Sequence, residues 1–161
     1  MNVVEELKQA ELTGRVFFIG DAEAAVMTAE KLGLSEVYVA DDDWAKLEKV
    51  ASAQKSVKVV PVYTRVIERL VELPSQSFDV IVSLNGLEKA LNKPGFMTEA
   101  LRLLKEGGTL VISTRLRTFF HKTGIKKDLL EKLLGTRGYR QQSVKKGGGR
   151  VFAVLVKSSS Q

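Results

Sequence analysis

A chain of 161 residues with 44% hydrophobic content has the size and composition of one packed domain, large enough to bury about two-thirds of the surface its unfolded form exposes. It has no cysteine and one histidine, His121, which excludes disulfides, a thiol nucleophile, thiolate-held metals and histidine-rich metal sites from these residues. The net charge of +6 is uneven, because from Thr114 onward twelve Lys and Arg stand against Asp128 and Glu131 alone, leaving residues 1–113 at −4.

A basic C-terminal third can attract nucleic acid, acidic proteins or a membrane surface, or can simply keep the domain solvated. No run approaches the roughly 18 apolar residues of a membrane span. The start, MNVVEELKQAEL, is acidic and amphipathic where a signal peptide would be basic and then apolar. A cytoplasmic protein without a membrane partner is expected.

Residues 3–12 read as a short amphipathic helix, with Val3, Val4, Leu7 and Leu12 toward the core. Residues 15–19, continuously apolar from Val16 to Ile19, read as a central strand, broken by Gly20. Asp21 is a good N-cap for a helix that closes at Gly33, and 36–40 form a second strand that runs into Asp41, Asp42 and Asp43. A helix follows with Trp44, Leu47, Val50 and Ala51 inward, Trp44 serving as core or cleft wall. Residues 57–63 form a third strand. Pro61 cannot donate to a ladder, so that strand belongs at an edge.

A helix is expected over 65–73, with Val66, Ile67, Leu70 and Val71 on its apolar stripe and Pro74 ending it. The fourth strand, 78–83, leads into Leu84-Asn85-Gly86 and a loop. Pro94 then opens a helix with Met97, Ala100, Leu101 and Leu104 inward, Gly107-Gly108 stops it, and 109–113 make the fifth strand. Further on come a helix over 126–134, a strand at 140–144, a turn at 145–149 and an apolar strand at 151–156, the last two strands reading as an antiparallel hairpin. One domain is expected over 1–157, with 158–161 the start of a linker. Alternating strands and helices predict a Rossmann-like, doubly wound α/β sheet.

The stretch RVFFIGDAEAAVMTAEKLGLSEVYVADDD, residues 15–43, is one β-α-β unit. Ligands of open α/β sheets sit outside the carboxyl ends of the strands, so a nucleotide-like ligand would rest on the Gly20 turn with Asp41 at its ribose. Asp41 is equally explained as a helix cap. Gly20-x-Ala22-x-x-Ala25 with Asp41 downstream is also a weak dinucleotide fingerprint.

The run from Val16 to Val156 resembles a class I S-adenosylmethionine methyltransferase-like domain. The segments SFDVIVS and LEKALNKPGFMTEALRLLKEGGTLVIST carry the likeness most clearly. It implies seven strands in the order 3-2-1-4-5-7-6 with a C-terminal antiparallel hairpin, and it puts the third strand at an edge, as Pro61 does independently. It also implies that Gly20, Ala22, Asp41, Asp42, Thr64, Ser83 and Asn85 line the cofactor position.

The cofactor motifs are degenerate. Phe18 stands where the family has an acid, and of the family's three turn glycines only Gly20 is kept, with Ala22 and Ala24 at the other two positions. Each added Cβ narrows the approach to the backbone. Glu88 and Lys89 stand where many small-molecule methyltransferases have histidines, and no general base is evident, so no catalytic residue is assigned.

Within the superfamily, VPVYTRVIERLVELPSQSFDVIVS and EALRLLKEGGTLVIS resemble the N-terminal domain of the anamorsin family. That likeness implies a non-catalytic protein-interaction module in cytosolic iron–sulfur protein assembly, with a diflavin reductase as partner, clusters held by a cysteine-rich region elsewhere, and no cofactor in this domain. The alternative is an active methyltransferase using S-adenosylmethionine, since in-line methyl transfer needs little acid–base help. In either case Arg115, Arg117, Lys122, Lys126 and Lys127, just after the fifth strand, could contact nucleic acid. His121 among them reads as a surface or capping residue.

Overall fold

The computed structural model describes residues 2–53 and 56–158. Its centre is a seven-stranded sheet in the order β3-β2-β1-β4-β5-β7-β6. The strands are β1 (Val16–Gly20), β2 (Glu36–Asp41), β3 (Lys58–Tyr63), β4 (Phe78–Leu84), β5 (Leu104–Arg115), β6 (Tyr139–Gly147) and β7 (Arg150–Lys157). The first five are parallel, and β7 runs antiparallel between β5 and β6. This is the doubly wound order that the family resemblance implies, hairpin included, and it puts Pro61 in edge strand β3.

Side chains alternate across the sheet and divide the core in two. Phe17, Ile19, Ile81, Leu110 and Ile112 face one side, where α4 (Gly86–Lys89), α5 (Lys93–Leu103) and α6 (Lys127–Leu134) pack. Val16, Phe18, Val39, Val80 and Val82 face the other, against α1 (Val3–Gln9), α2 (Ala22–Lys31) and α3 (Trp44–Ser52). β1 is buried along its whole length, as a central parallel strand covered on both faces must be.

Five expectations are corrected. No helix forms over 65–73, because tertiary partners take the backbone groups a helix would use. The Glu99 carboxylate accepts from the Leu70 amide, and the Arg102 guanidinium donates to the carbonyls of Leu70 and Leu73. The Thr64 hydroxyl meanwhile donates to the carbonyls of Val66 and Arg69. Ile67 and Leu70 still reach the core, whereas Val71 is exposed.

Trp44 is not a core residue. It lies 48% exposed at the start of α3, edge-on to Tyr63, with its indole donating to the Thr64 carbonyl and the Arg65 guanidinium over its ring. The helix opened by Pro94 ends at Leu103, and β5 begins at Leu104, well before Thr109. Phe96 and Leu103 take core positions there, while Leu101 is only half-buried. The loop expected after β4 contains the one-turn helix α4. In the hairpin, the strands extend to Gly147 and Arg150, so only Gly148 and Gly149 turn. Ser158 donates to the Gly138 carbonyl, and the rest of the expected linker, residues 159–161, lies outside the described residues.

Candidate functional site

The parallel strands all end on one edge, which brings Gly20, Asp41, Leu84 and Arg115 to the same rim. Two ends are closed against each other. Gly20 has φ +136 and pairs with Asn85 in an antiparallel bridge, and a Cβ on Gly20 would overlap the Leu84 carbonyl. A Cβ on Gly86 would come within 2.6 Å of the Ile19 carbonyl oxygen. Backbone therefore meets backbone where β1 and β4 leave the sheet. Asn85 makes that junction in the left-handed conformation, φ +60, tolerated by its short polar side chain.

Asp41 is fully buried. Its Oδ2 accepts from the Ala22 amide at 2.8 Å and its Oδ1 from the Asp43 amide at 2.9 Å. The capping role belongs to Asp43, whose carboxylate accepts from the Lys46 amide at the start of α3. Asp41 instead ties the first turn of α2 to the end of β2.

Lys89, at the end of α4, completes the cluster. Its Nζ lies 2.8 Å from the Gly20 carbonyl, 3.1 Å from Asp41 Oδ1 and 3.3 Å from Asp42 Oδ1. Three acceptors from two strand ends thus converge on one ammonium. Burial works against the charge on Asp41, but the amides of Asp43 and Ala22 and the Lys89 ammonium outweigh it and hold the carboxyl below its ordinary value. Burial likewise works against the charge on Lys89, and the two aspartates outweigh it and push its pKa up. Both groups are charged at neutral pH.

The preceding residue anchors α4 on its other side. Glu88 Oε1 accepts from the Thr114 hydroxyl at 2.5 Å and from the Arg115 amide at 2.6 Å, at the end of β5. Ser83, fully buried, accepts from the Leu87 amide. The short helix is therefore strapped across the rim from β2 to β5.

Of the residues singled out in the sequence, Gly20, Ala22, Asp41 and Asp42 are brought together around one ammonium. Ser83 holds α4, and Asn85 accepts from the Arg150 guanidinium, which also donates to Ser113. Thr64 is spent on its own turn. Arg115 is the last residue of β5 rather than a residue beyond it, and Arg117, Lys122, Lys126 and Lys127 follow the strand, with the Arg115 guanidinium 3.2 Å from His121 Nδ1. A cavity of about 570 Å³ lies on the α6 side of α4, lined in part by Glu88, Leu91, Arg117, Lys126 and Leu129. The sequence reading registered Lys89 only as a departure from a histidine. A lysine on one helical turn has no periodicity or motif by which its partners could be found.

The family model described as a methyltransferase domain matches residues 19–112. No curated protein matches the chain. Among solved structures, the chain is similar to an S-adenosylmethionine-dependent methyltransferase from Mesorhizobium loti, with a TM-score of 0.73 and 14% identity over 96% of this chain and 98% of that one. It is similar also to the YcgJ protein of Bacillus subtilis, with a TM-score of 0.71 and 12% identity over 97% of each chain. Against the CurJ carbon methyltransferase the TM-score is 0.72 at 14% identity, over 94% of this chain. There the chain spans about half of its relative, 51%.

Proposed function

The chain belongs to the methyltransferase domain family, and from that premise we propose that it is a non-catalytic member, a binding module in which Lys89 occupies the position where the cofactor would sit. The observation that carries this reading is the placement of the Lys89 ammonium on the Gly20 carbonyl, Asp41 and Asp42. A ribose-binding acid must offer its oxygens to two hydroxyls. In Asp41 those oxygens already take two amides and an ammonium.

The turn itself does not fit the cofactor either. Gly20 gives its conformational freedom to a contact with the Leu84 carbonyl instead of to a ligand, and Ala22 spends its amide on Asp41. S-adenosylmethionine would have to expel a charged side chain from Asp41 and compete with the two amides for its oxygens. The chain's own salt bridge supplies the electrostatic complement that the cofactor's hydroxyls supply in an active site.

The test is calorimetric titration with S-adenosylmethionine and S-adenosylhomocysteine. No heat of binding up to millimolar ligand is expected for the wild type, and weak binding is expected for Lys89→Ala, which vacates the position. Micromolar binding to the wild type that disappears in Asp41→Ala would overturn the reading.

The second reading, an active methyltransferase, is favoured by the Lys89 side chain being 31% exposed on a flexible four-carbon stem, so that rotation toward solvent would free Asp41. It predicts the micromolar outcome of the same titration. A finer version of the first reading makes the module of anamorsin type, working with a diflavin reductase in cytosolic iron–sulfur protein assembly. It rests on the sequence likeness of residues 60–83 and 99–113 alone, and co-purification with an FMN/FAD reductase from the same organism would be its own test.

A further inference from the structure

We propose that the loop joining β5 to α6 is a finger that docks on an anionic lipid surface, with Phe119 and Phe120 entering the interface and the cations behind them meeting the headgroups. The two phenylalanines are each 86% exposed, at the tip of a tight turn in which the Thr118 amide donates to the His121 carbonyl at 2.9 Å and the His121 amide donates back at 3.2 Å. Polar and turn-forming residues are the usual occupants of such a tip. Folding gains nothing from two bare aromatic rings there.

The finger is built, not slack. At its base the Arg117 amide donates to the Ile125 carbonyl and the Ile125 amide to the Arg115 carbonyl. The Arg117 side chain donates to the Gly124 carbonyl. Gly124 lies so close to the incoming strand that a Cβ would overlap the Arg115 carbonyl. The rings are thereby held away from the core they could otherwise have joined.

Charge decides the occupant. Arg115, Arg117, Lys122, Lys126 and Lys127 flank the tip along the chain, with Asp128 the one acid from 115 to 130. Leu91, 85% exposed, lines the same cavity as Arg117 and Lys126 and extends the apolar surface at the base of the finger. An apolar tip backed by Lys and Arg is the pattern that binds the interface of anionic bilayers, where insertion and headgroup attraction add. Single-stranded nucleic acid instead needs ring faces along a groove. Here the rings meet edge to face at 87° with centroids 5.3 Å apart, on a convex tip, so each ring restricts the other as a stacking platform. No helix among the described residues is long and apolar enough to cross a membrane, and the contact inferred is peripheral. It does not depend on whether the Gly20 turn binds a cofactor.

The experiment is vesicle co-sedimentation, with phosphatidylcholine alone and with phosphatidylserine added, for the wild type, Phe119→Ser/Phe120→Ser and Arg117→Gln/Lys122→Gln. Binding to the anionic vesicles is expected, falling by about tenfold or more in the double serine variant and falling also in the charge variant and with added salt. Phe120→Trp reads insertion directly, and on anionic vesicles its emission should shift blue beyond the Trp44 background. That readout decides the matter even if the serine variant does not fold. Absence of binding to anionic vesicles overturns the proposal. So does binding that survives the serine changes with unshifted tryptophan emission, which is adsorption of basic surface only. Phenylalanine-dependent binding to oligouridylate without vesicle binding would overturn it too, assigning the finger to nucleic acid.

Discussion

Lys89 and Asp41 form an ion pair at 3.1 Å, in which the carboxylate is fully buried and the ammonium remains about one-third exposed. The pair joins the end of β2 to a one-turn helix that follows β4, across the intervening strand β1. It is a tertiary clasp over the rim of the sheet, and most of what is specific to this protein's candidate site follows from it.

Removing the lysine leaves a buried charge with only its amide partners. Breaking a fully buried pair costs about 3–5 kcal/mol. Asp41 keeps two amide hydrogen bonds and Lys89 is partly solvated, so Lys89→Met should cost less, about 2 kcal/mol, or a fall of about 4–8 °C in Tm for a domain of this size. Asp41→Ala should cost more, because the amides of Ala22 and Asp43 lose their acceptor as well. Thermal unfolding of the two variants beside the wild type checks both the sizes and the order.

The pair also sets a pH window. The Asp41 carboxyl is depressed from 3.8 in the folded state, so its stabilisation is present above the unfolded value and is lost as pH falls through the lower, folded value. Lys89 is raised from 10.5, so its stabilisation is present below the unfolded value and is lost as pH rises through the folded one. The acid-unfolding midpoint of Lys89→Met should therefore lie at higher pH than that of the wild type, since Asp41 is then less depressed. Circular dichroism through an acid titration of both proteins measures the difference.

Two glycines with positive φ separate close approach from conformational strain. Gly33, φ +69, has open space where a Cβ would go, whereas a Cβ on Gly20 would overlap the Leu84 carbonyl. Gly33→Ala should cost about 1–2 kcal/mol, the strain of the left-handed conformation. Gly20→Ala must also part β1 from β4, and should fail to accumulate as folded protein. Soluble yield and thermal unfolding of the two alanine variants make the comparison.

The irregular segment between β3 and β4 hangs on Arg102, whose guanidinium donates to the carbonyls of Leu70 and Leu73 and to the Ser75 hydroxyl. Arg102→Ala should release it locally and lower global stability by about 1–3 kcal/mol. Limited trypsin digestion should then cut after Arg65 or Arg69 several times faster than in the wild type. Unchanged cleavage would mean that the burial of Ile67 and Leu70 alone holds the segment.

Burial pushes the Tyr139 hydroxyl well above its ordinary value, and it donates to the Met97 carbonyl at 2.7 Å. A raised tyrosine favours the neutral form, so its stabilisation is present below the unfolded value near 10 and declines as pH rises past it. Alkaline titration of phenolate absorbance should show Tyr139 ionising only with unfolding. Tyr139→Phe should remove that last step.

The sequence by itself determined the sheet. The apolar runs at Val16, Val37 and Val80 read as strands covered on both faces, Pro61 put its strand at an edge, and the glycine-rich stretch 145–149 between two strand-like runs read as a hairpin turn. These are local constraints, each read from neighbours along the chain. The cluster Gly20, Ala22, Asp41 and Asp42 was legible too, because a β-α-β unit places its turn and its second strand end together. What only the tertiary structure decided depends on contacts between distant residues. The apolar stripe at 65–73 has helical spacing, yet Glu99 and Arg102, about 30 positions away, outbid the helix for its backbone. The use made of Asp41 was settled in the same way, by a lysine 48 positions along the chain. Charges pair according to distance in space, and no periodicity in the sequence records that distance.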